Sequence, residues 1–190
     1  MANPRADLEA LERRIARLES RLAVAEDVQA IHNLKARYGQ LADARYGPDG
    51  VVGADELARI ADALCALFSE DASWDGGPGL GLCHGREAIR ARFLKPTLRF
   101  SWHFFVKPRI EVRGDRATGS WDILAPCTRA DGRPAWMAGF EEDGYVKQDG
   151  VWLHESMKLS VVFMAPHDRG WSKVHPGSAP APADDASSRG

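Results

Sequence analysis

Four long runs rich in Trp, Phe, Val and Ile, separated by short turn signals, constrain the fold of this chain more than any other feature. Residues of these types favour β-strands. The separating segments include Arg113-Gly114-Asp115, Asp131-Gly132 and Gln148-Asp149-Gly150, and Asp-Gly between such runs is a strong hairpin signal. Long strands joined by tight turns predict an antiparallel meander. The four runs are Ser101–Val112, Arg116–Pro126, Pro134–Gln148 and Val151–Met164.

Amphipathic helices precede the meander. Apolar residues recur at spacings of three and four in residues 25–42, Asp55–Phe68 and Arg86–Leu94, which is the pattern of a helix with one buried face. Between them, Arg45–Gly53 and the Gly-rich residues 76–85 indicate loops. Helices first and a meander afterwards predict an α+β fold, with the helices against one face of a curved antiparallel sheet.

The first 24 residues form a further predicted helix with a heptad-like apolar stripe. The stripe is about two heptads long, which is short of what specifies a free coiled coil. It has to pack either on its own domain or on a neighbouring subunit, and we favour the subunit. We therefore expect a homo-oligomer, either a trimer or a dimer. The stripe consists of Leu8, Leu11, Ile15, Leu18 and Leu22.

Composition and charge exclude several function classes. The formal net charge is −2 and the basic residues are spread along the chain, so we expect no nucleic-acid partner. No apolar run approaches the roughly 18 residues of a membrane helix, and the N-terminus lacks a signal peptide, so we expect a cytoplasmic protein without a membrane partner. The three cysteines have no CxxC spacing, which favours reduced thiols. The His, Cys and carboxylate spacings predict no metal site, and no motif indicates a cofactor.

Several short motifs occur in the order and spacing of one known family. They are Leu67-Phe68-Ser69-Glu70-Asp71-Ala72, Gly85-Arg86-Glu87-Ala88-Ile89, His103 with Pro108–Ile110, and Gly150-Val151-Trp152. Together they resemble the SnoaL-like (nuclear transport factor 2-like) superfamily, nearest to its bile acid 7α-dehydratase and scytalone dehydratase type. The resemblance implies a cone-shaped barrel with three helices around one apolar pocket, here with an extra N-terminal helix. It covers roughly residues 25–164. We expect the domain to span residues 25–168, after the helix at 1–24 and before a tail at 169–190 whose Pro, Ala, Ser and Asp content predicts disorder.

The resemblance also implies a catalytic His–Asp pair, and the matching positions here are His103 and Asp43. Tyr38 matches a pocket tyrosine of the bile acid dehydratase type. Two positions depart from that type, because Ala125 stands where it has a second carboxylate and Val161 where it has an arginine. The resemblance therefore does not imply that this chain shares the exact mechanism or the substrate of the bile acid dehydratase type.

The pocket lining is predicted from strand alternation. If His103 points inwards, Phe105 does too, while Trp102 and Phe104 lie on the other face. Trp74 on a short strand is a further candidate. The remaining predicted lining residues are Trp121 and Ile123 with Ala125 on one strand, and Trp136 and Phe140 with Ala138 on the next.

These residues predict general acid–base chemistry on an apolar small molecule. A neutral imidazole takes a proton, and a carboxylate on its other nitrogen fixes the tautomer. The leading hypothesis is a cofactor-independent lyase, a dehydratase acting on a hydrophobic hydroxylated ketone such as a steroid or a polycyclic compound. Alternatives are an isomerase or cyclase with the same base, a ligand-binding or assembly module without catalysis, and a small subunit of a larger oxygenase.

Overall fold

A computed structural model describes residues 4–168. Its first element is one continuous helix, α1, from Pro4 to Asp43. The predicted N-terminal helix and the first domain helix are therefore a single element. Residues 21–30 contain no Gly or Pro that would break the helix. The predicted tail at 169–190 lies outside the described residues.

Within residues 4–168, the helix α1 contacts the rest of the domain in its second half. Asp27 is the first anchor, because its carboxylate accepts hydrogen bonds from Lys147 Nζ at 2.7 Å and from Trp152 Nε1 at 2.8 Å. From Ile31 onwards the apolar residues of one helix face are buried, as far as Leu41. This burial fixes the C-terminal end of α1 over the sheet.

Two shorter helices and a small hairpin complete the helical side. The hairpin pairs β1 (Tyr46–Gly47) with β2 (Gly50–Val51). The helix α2 covers Ala54–Cys65 and α3 covers Arg86–Phe93. Both helices bury the predicted apolar face, and α3 does so through Ile89 and Phe93. None of the described helices combines the length and apolar character needed to cross a membrane.

Seven strands form one curved sheet in the order β4-β3-β9-β8-β7-β5, with β6 also paired to β7. The α+β fold is confirmed, with two differences from the predicted sheet. First, β3 and β9 are parallel, so the sheet is mixed. Second, among the described residues the edge strands β4 and β5 do not pair, so the sheet does not close into a barrel. The strands are β3 (Phe68–Asp75), β4 (Leu82–His84), β5 (Leu98–Ser101), β6 (Phe104–Arg113), β7 (Arg116–Arg129), β8 (Pro134–Gln148) and β9 (Val151–Pro166).

The predicted strand Ser101–Val112 is interrupted. Strand β5 ends at Ser101 and β6 begins at Phe104, and both pair with β7. The two residues between them leave the ladder, although the Trp102 backbone N–H still donates to the carbonyl of Pro126. This break places the backbone N–H and the side chain of His103 against the end of α1.

Candidate active site

A cavity of about 850 Å³ lies between the helices and the inner face of the sheet, the face that packs on them. The end of α1, the helix α3 and the loop at residues 76–80 supply one side, and β7, β8 and β9 supply the other. Most of its wall is apolar. The apolar wall includes Trp74, Leu80, Phe93, Leu98, Ile123, Ala125, Met137, Leu159, Val161 and Met164.

His103 lines this cavity, and Asp43 contacts its imidazole from the end of α1. Asp43 Oδ1 lies 2.6 Å from His103 Nδ1. The same carboxylate accepts the backbone N–H of His103, at 3.1 Å to Oδ1 and 3.2 Å to Oδ2. A carboxylate accepts hydrogen bonds, so this contact assigns the ring hydrogen to Nδ1 and leaves Nε2 with a lone pair. Ser101 Oγ lies 3.5 Å from Nε2.

The rings around His103 follow the predicted alternation. The Phe105 ring stacks on the imidazole at a centroid distance of 5.9 Å, while Trp102 and Phe104 are exposed on the other face. Phe105 is thus behind His103 and does not line the cavity. It holds the imidazole plane in place from the core side.

Tyr38, which lies five positions before Asp43 on α1, also reaches the cavity wall. Its hydroxyl accepts a hydrogen bond from Trp74 Nε1 at 3.3 Å, and among the described residues nothing accepts its own proton. Burial, reinforced by the nearby Glu141, raises the pKa of Tyr38, so the phenol stays protonated. The arrangement leaves one O–H donor free to serve a bound molecule.

Sequence reasoning missed a buried cluster of charged residues beside this site. Lys35 on α1 is ion-paired with both Glu141 and Asp143 of β8, and all three side chains are almost fully buried. The Tyr145 hydroxyl donates to Asp143 Oδ2 at 2.8 Å. Glu141 is the member that also lines the cavity. A carboxyl group is therefore present in the wall even though Ala125 carries none.

The charge balance of this cluster favours one retained proton. Burial by itself lowers the pKa of Lys35, but the two carboxylates raise it above its ordinary value, so Lys35 stays an ammonium ion. One ammonium balances one carboxylate, and burying the excess negative charge is costly. Burial accordingly raises the pKa of Glu141, Lys35 opposes that rise, and Asp143 adds to it. Glu141 is thus the carboxyl group that most readily holds a proton.

Besides Phe105, three other predicted aromatic lining residues do not reach the cavity. Trp121 faces inwards but lies behind the wall, where its Nε1 donates to the Tyr145 hydroxyl at 3.0 Å. Trp136 and Phe140 lie on the outer face of β8, because Met137 and Glu141 occupy the inner face. The prediction of an apolar inner face on β8 was wrong because Lys35 allows acidic side chains to be buried there. Trp74 and Ile123 line the cavity as predicted.

Comparisons with known proteins agree with this architecture. A family profile described as a SnoaL-like domain matches residues 23–158. A search of curated protein sequences found no match at a significant level. Among the described residues, no group of three or more His, Cys, Asp or Glu side chains is arranged to hold a metal ion.

Solved structures share the fold at low sequence identity. Hexachlorocyclohexane dehydrochlorinase LinA-type3 from Novosphingobium barchaimii LL02 is 20% identical, with a TM-score of 0.59 over 87% of this chain and 99% of its own. A protein from Novosphingobium aromaticivorans DSM 12444, provisionally called a scytalone dehydratase, is 20% identical, with a TM-score of 0.61 over 84% and 97%. An NTF2-like protein with a cystatin-like fold from Novosphingobium aromaticivorans is 25% identical, with a TM-score of 0.62 over 77% and 89%.

Proposed function

Because this chain belongs to the SnoaL-like domain family, we propose that it is a lyase that uses His103 and Asp43 as a general base. The observation that carries this proposal is the 2.6 Å contact between Asp43 Oδ1 and His103 Nδ1 at the wall of an apolar cavity. Two of the structural neighbours bear the names of enzymes that carry out eliminations, a dehydrochlorinase and a scytalone dehydratase. Their identity to this chain is low, so the reaction is argued from the site.

In the proposed elimination, His103 Nε2 takes a proton from the carbon next to a carbonyl group. The carbon–hydrogen bond breaks and its electron pair forms the enolate, while the imidazole becomes an imidazolium ion. Asp43 stabilises that cation and holds the ring in one tautomer and orientation. General base catalysis of this kind contributes about 10²–10⁴-fold in rate.

In this scheme Tyr38 donates a hydrogen bond to the substrate, and Glu141 donates a proton to the leaving group. The Tyr38 O–H, which has no acceptor among the described residues, donates to the carbonyl oxygen and stabilises the developing oxyanion. The enolate then expels the hydroxyl group β to the carbonyl, and Glu141 donates the proton that turns it into water. The imidazolium returns its proton to Glu141 through the released water, which restores both groups. These steps need only the acid–base groups of this chain.

The cavity favours a hydrophobic hydroxylated ketone of polycyclic size, such as a steroid or a polyketide-like compound. Its volume of about 850 Å³ lies in the upper part of the range for small-molecule sites. The apolar wall suits fused rings, and Arg45 and Arg92, which also line it, suit an oxygen-bearing substituent. Such a substrate would bind through its rings and react at one polar edge.

The test is a native mass spectrum of the purified protein with a panel of hydroxylated keto-steroids and polycyclic ketones. A lyase releases a product lighter by one water than the compound added, and a His103→Ala variant leaves that compound unchanged. Phe104→Ala provides a matched control on the next residue, because the Phe104 side chain lies on the outer face. Wild-type turnover by His103→Ala on an accepted compound would refute the proposal.

The same spectrum separates the alternatives. A product of unchanged mass but altered retention on a subsequent column indicates an isomerase or cyclase that uses the same base. Tight binding of a compound that is recovered unaltered indicates a binding module. Co-purification of a large iron-containing chain indicates an oxygenase subunit.

A further inference from the structure

The first half of α1 projects from the domain as an exposed helical arm, residues 7–26. At 1.5 Å per residue the arm is about 30 Å long. Every side chain along it is exposed, and the first anchor to the sheet is Asp27. Because the helix runs unbroken from Pro4 to Asp43, the arm cannot fold back on its own domain without breaking.

The arm carries an apolar stripe that the domain leaves uncovered. Five residues in heptad positions a and d are between 46% and 58% exposed. A contiguous apolar stripe of this kind marks a contact surface. The a positions are Leu8, Ile15 and Leu22, and the d positions include Leu11 and Leu18.

Charges flank the stripe with opposite signs on its two sides. In this register the e positions are all glutamate, Glu12, Glu19 and Glu26, while Arg14 and Arg21 occupy g positions. Within the described part of the chain these five side chains make no ion pair with one another or with the domain. Residues at e and g set the partner and the orientation of a coiled coil.

This charge pattern selects a parallel partner. In a parallel pair in register, each g residue faces the e residue five positions later on the other helix. Arg14 then faces Glu19 of the partner subunit, and Arg21 faces Glu26 of the partner subunit. Only Asp7, opposite Glu12 of the partner subunit, is unfavourable. In an antiparallel pair, e faces e and g faces g, which would oppose glutamate to glutamate and arginine to arginine.

We infer that the arm forms a parallel, in-register coiled coil with the arm of a second copy of this chain. Both domains then lie at the same end of the coil. The stripe spans little more than two heptads, so the association depends on protein concentration. It weakens at high ionic strength, because salt screens the flanking charges.

The association is tested by sedimentation of the full-length protein at low and high ionic strength. Arg14→Glu with Arg21→Glu makes both flanks acidic and removes every favourable pair. Reversing four pairs in a dimer raises Kd by about a hundredfold at low salt. Arg13→Glu with Arg17→Glu is the matched control, because it makes the same change of charge on the outer side of the arm. It leaves Kd within a few fold of the wild type.

Orientation is tested by disulfide formation under mild oxidation. Leu8→Cys cross-links to itself in a parallel coil, whereas in an antiparallel coil, where a positions pack against d positions, it meets position 18 or position 25. A mixture of the Leu8→Cys chain with a Leu18→Cys or an Ala25→Cys chain gives the 8-to-18 or 8-to-25 cross-link only in that second case. The wild type, oxidised in the same way, corrects for the native cysteines.

The inference predicts self-cross-linking of Leu8→Cys beyond that background. A wild type that stays monomeric, an association unaffected by Arg14→Glu with Arg21→Glu, or a cross-link found only in the mixture would each overturn it.

Discussion

The fully buried His154 makes the stability of the fold depend on pH in a way that can be worked out. Among the described residues neither of its ring nitrogens has a hydrogen-bond partner, and its ring packs against those of Tyr38, Phe68 and Tyr145. Burial lowers the pKa of His154 from 6.5 to about 3, although Asp143 opposes the change. In the folded protein His154 is therefore neutral at any pH above about 3.

The direction of the pH effect on stability depends on whether the folded or the unfolded chain binds the proton at His154. Between about pH 3 and pH 6.5 the unfolded chain binds a proton at His154 and the folded chain does not. His154 therefore does not reduce the free energy of unfolding at a pH above its pKa in the unfolded chain. As the pH falls below that pKa, the free energy of unfolding decreases progressively. With 1.36 kcal/mol per pKa unit, the free energy of unfolding drops by about 2.5 kcal/mol between about pH 7.5 and pH 4.5 from this residue alone.

The assay is urea unfolding across this pH range for the wild type and for His154→Phe, at one fixed protein concentration. The carboxylates titrate in both proteins, so the difference between them isolates His154. At neutral pH the variant is expected to match or exceed the wild type, because it removes two buried unpaired nitrogens. The variant's advantage then grows by about 2.5 kcal/mol towards about pH 4.5. A difference that stays constant with pH would refute the reasoning.

Four further substitutions test the site and the sheet. Asp43→Asn lowers kcat by about 10²–10⁴-fold with little change in KM, measured by steady-state kinetics on a converted ketone. Glu141 is a proton donor with a raised pKa, so wild-type activity falls as the pH rises through that pKa, and Glu141→Gln lacks this dependence in a pH–rate profile. Lys35→Met leaves its carboxylate partners unpaired in the core and costs about 3–5 kcal/mol in urea unfolding. Gly139→Ala would place a Cβ 2.3 Å from the carbonyl oxygen of Ser160 and lowers Tm, at a cost of about 1–3 kcal/mol.

The sequence was informative where local patterns decide the structure. The helical spacing predicted α2 and α3 to within a few residues, and the Asp-Gly turns predicted the hairpins between β7, β8 and β9. The contact between His103 and Asp43 was expected only through the family resemblance. Sixty positions separate the two residues in the chain, and no local pattern connects them.

The sequence was silent where distant segments decide the structure. Turn signals report only the pairing of consecutive strands, so the parallel contact of β3 with β9 left no local trace. Glu141 and Asp143 occupy every second position of β8, as charged residues on a solvent-facing side of a strand do. In the sequence, Lys35 resembles any surface lysine of a helix. Only their mutual contact reverses this expectation, because each charged side chain can be buried only when its oppositely charged partner is buried beside it. The inner face of β8 therefore could not be chosen from β8 alone.

The most direct test of the proposed function is proton exchange at the carbon next to the carbonyl of a bound ketone. A polycyclic ketone that binds the protein but lacks the leaving hydroxyl is incubated in D₂O and followed by NMR. The account predicts that the wild type introduces deuterium at that carbon and that His103→Ala does so no faster than buffer. Exchange at the wild-type rate by His103→Ala would contradict the assignment of His103 as the base.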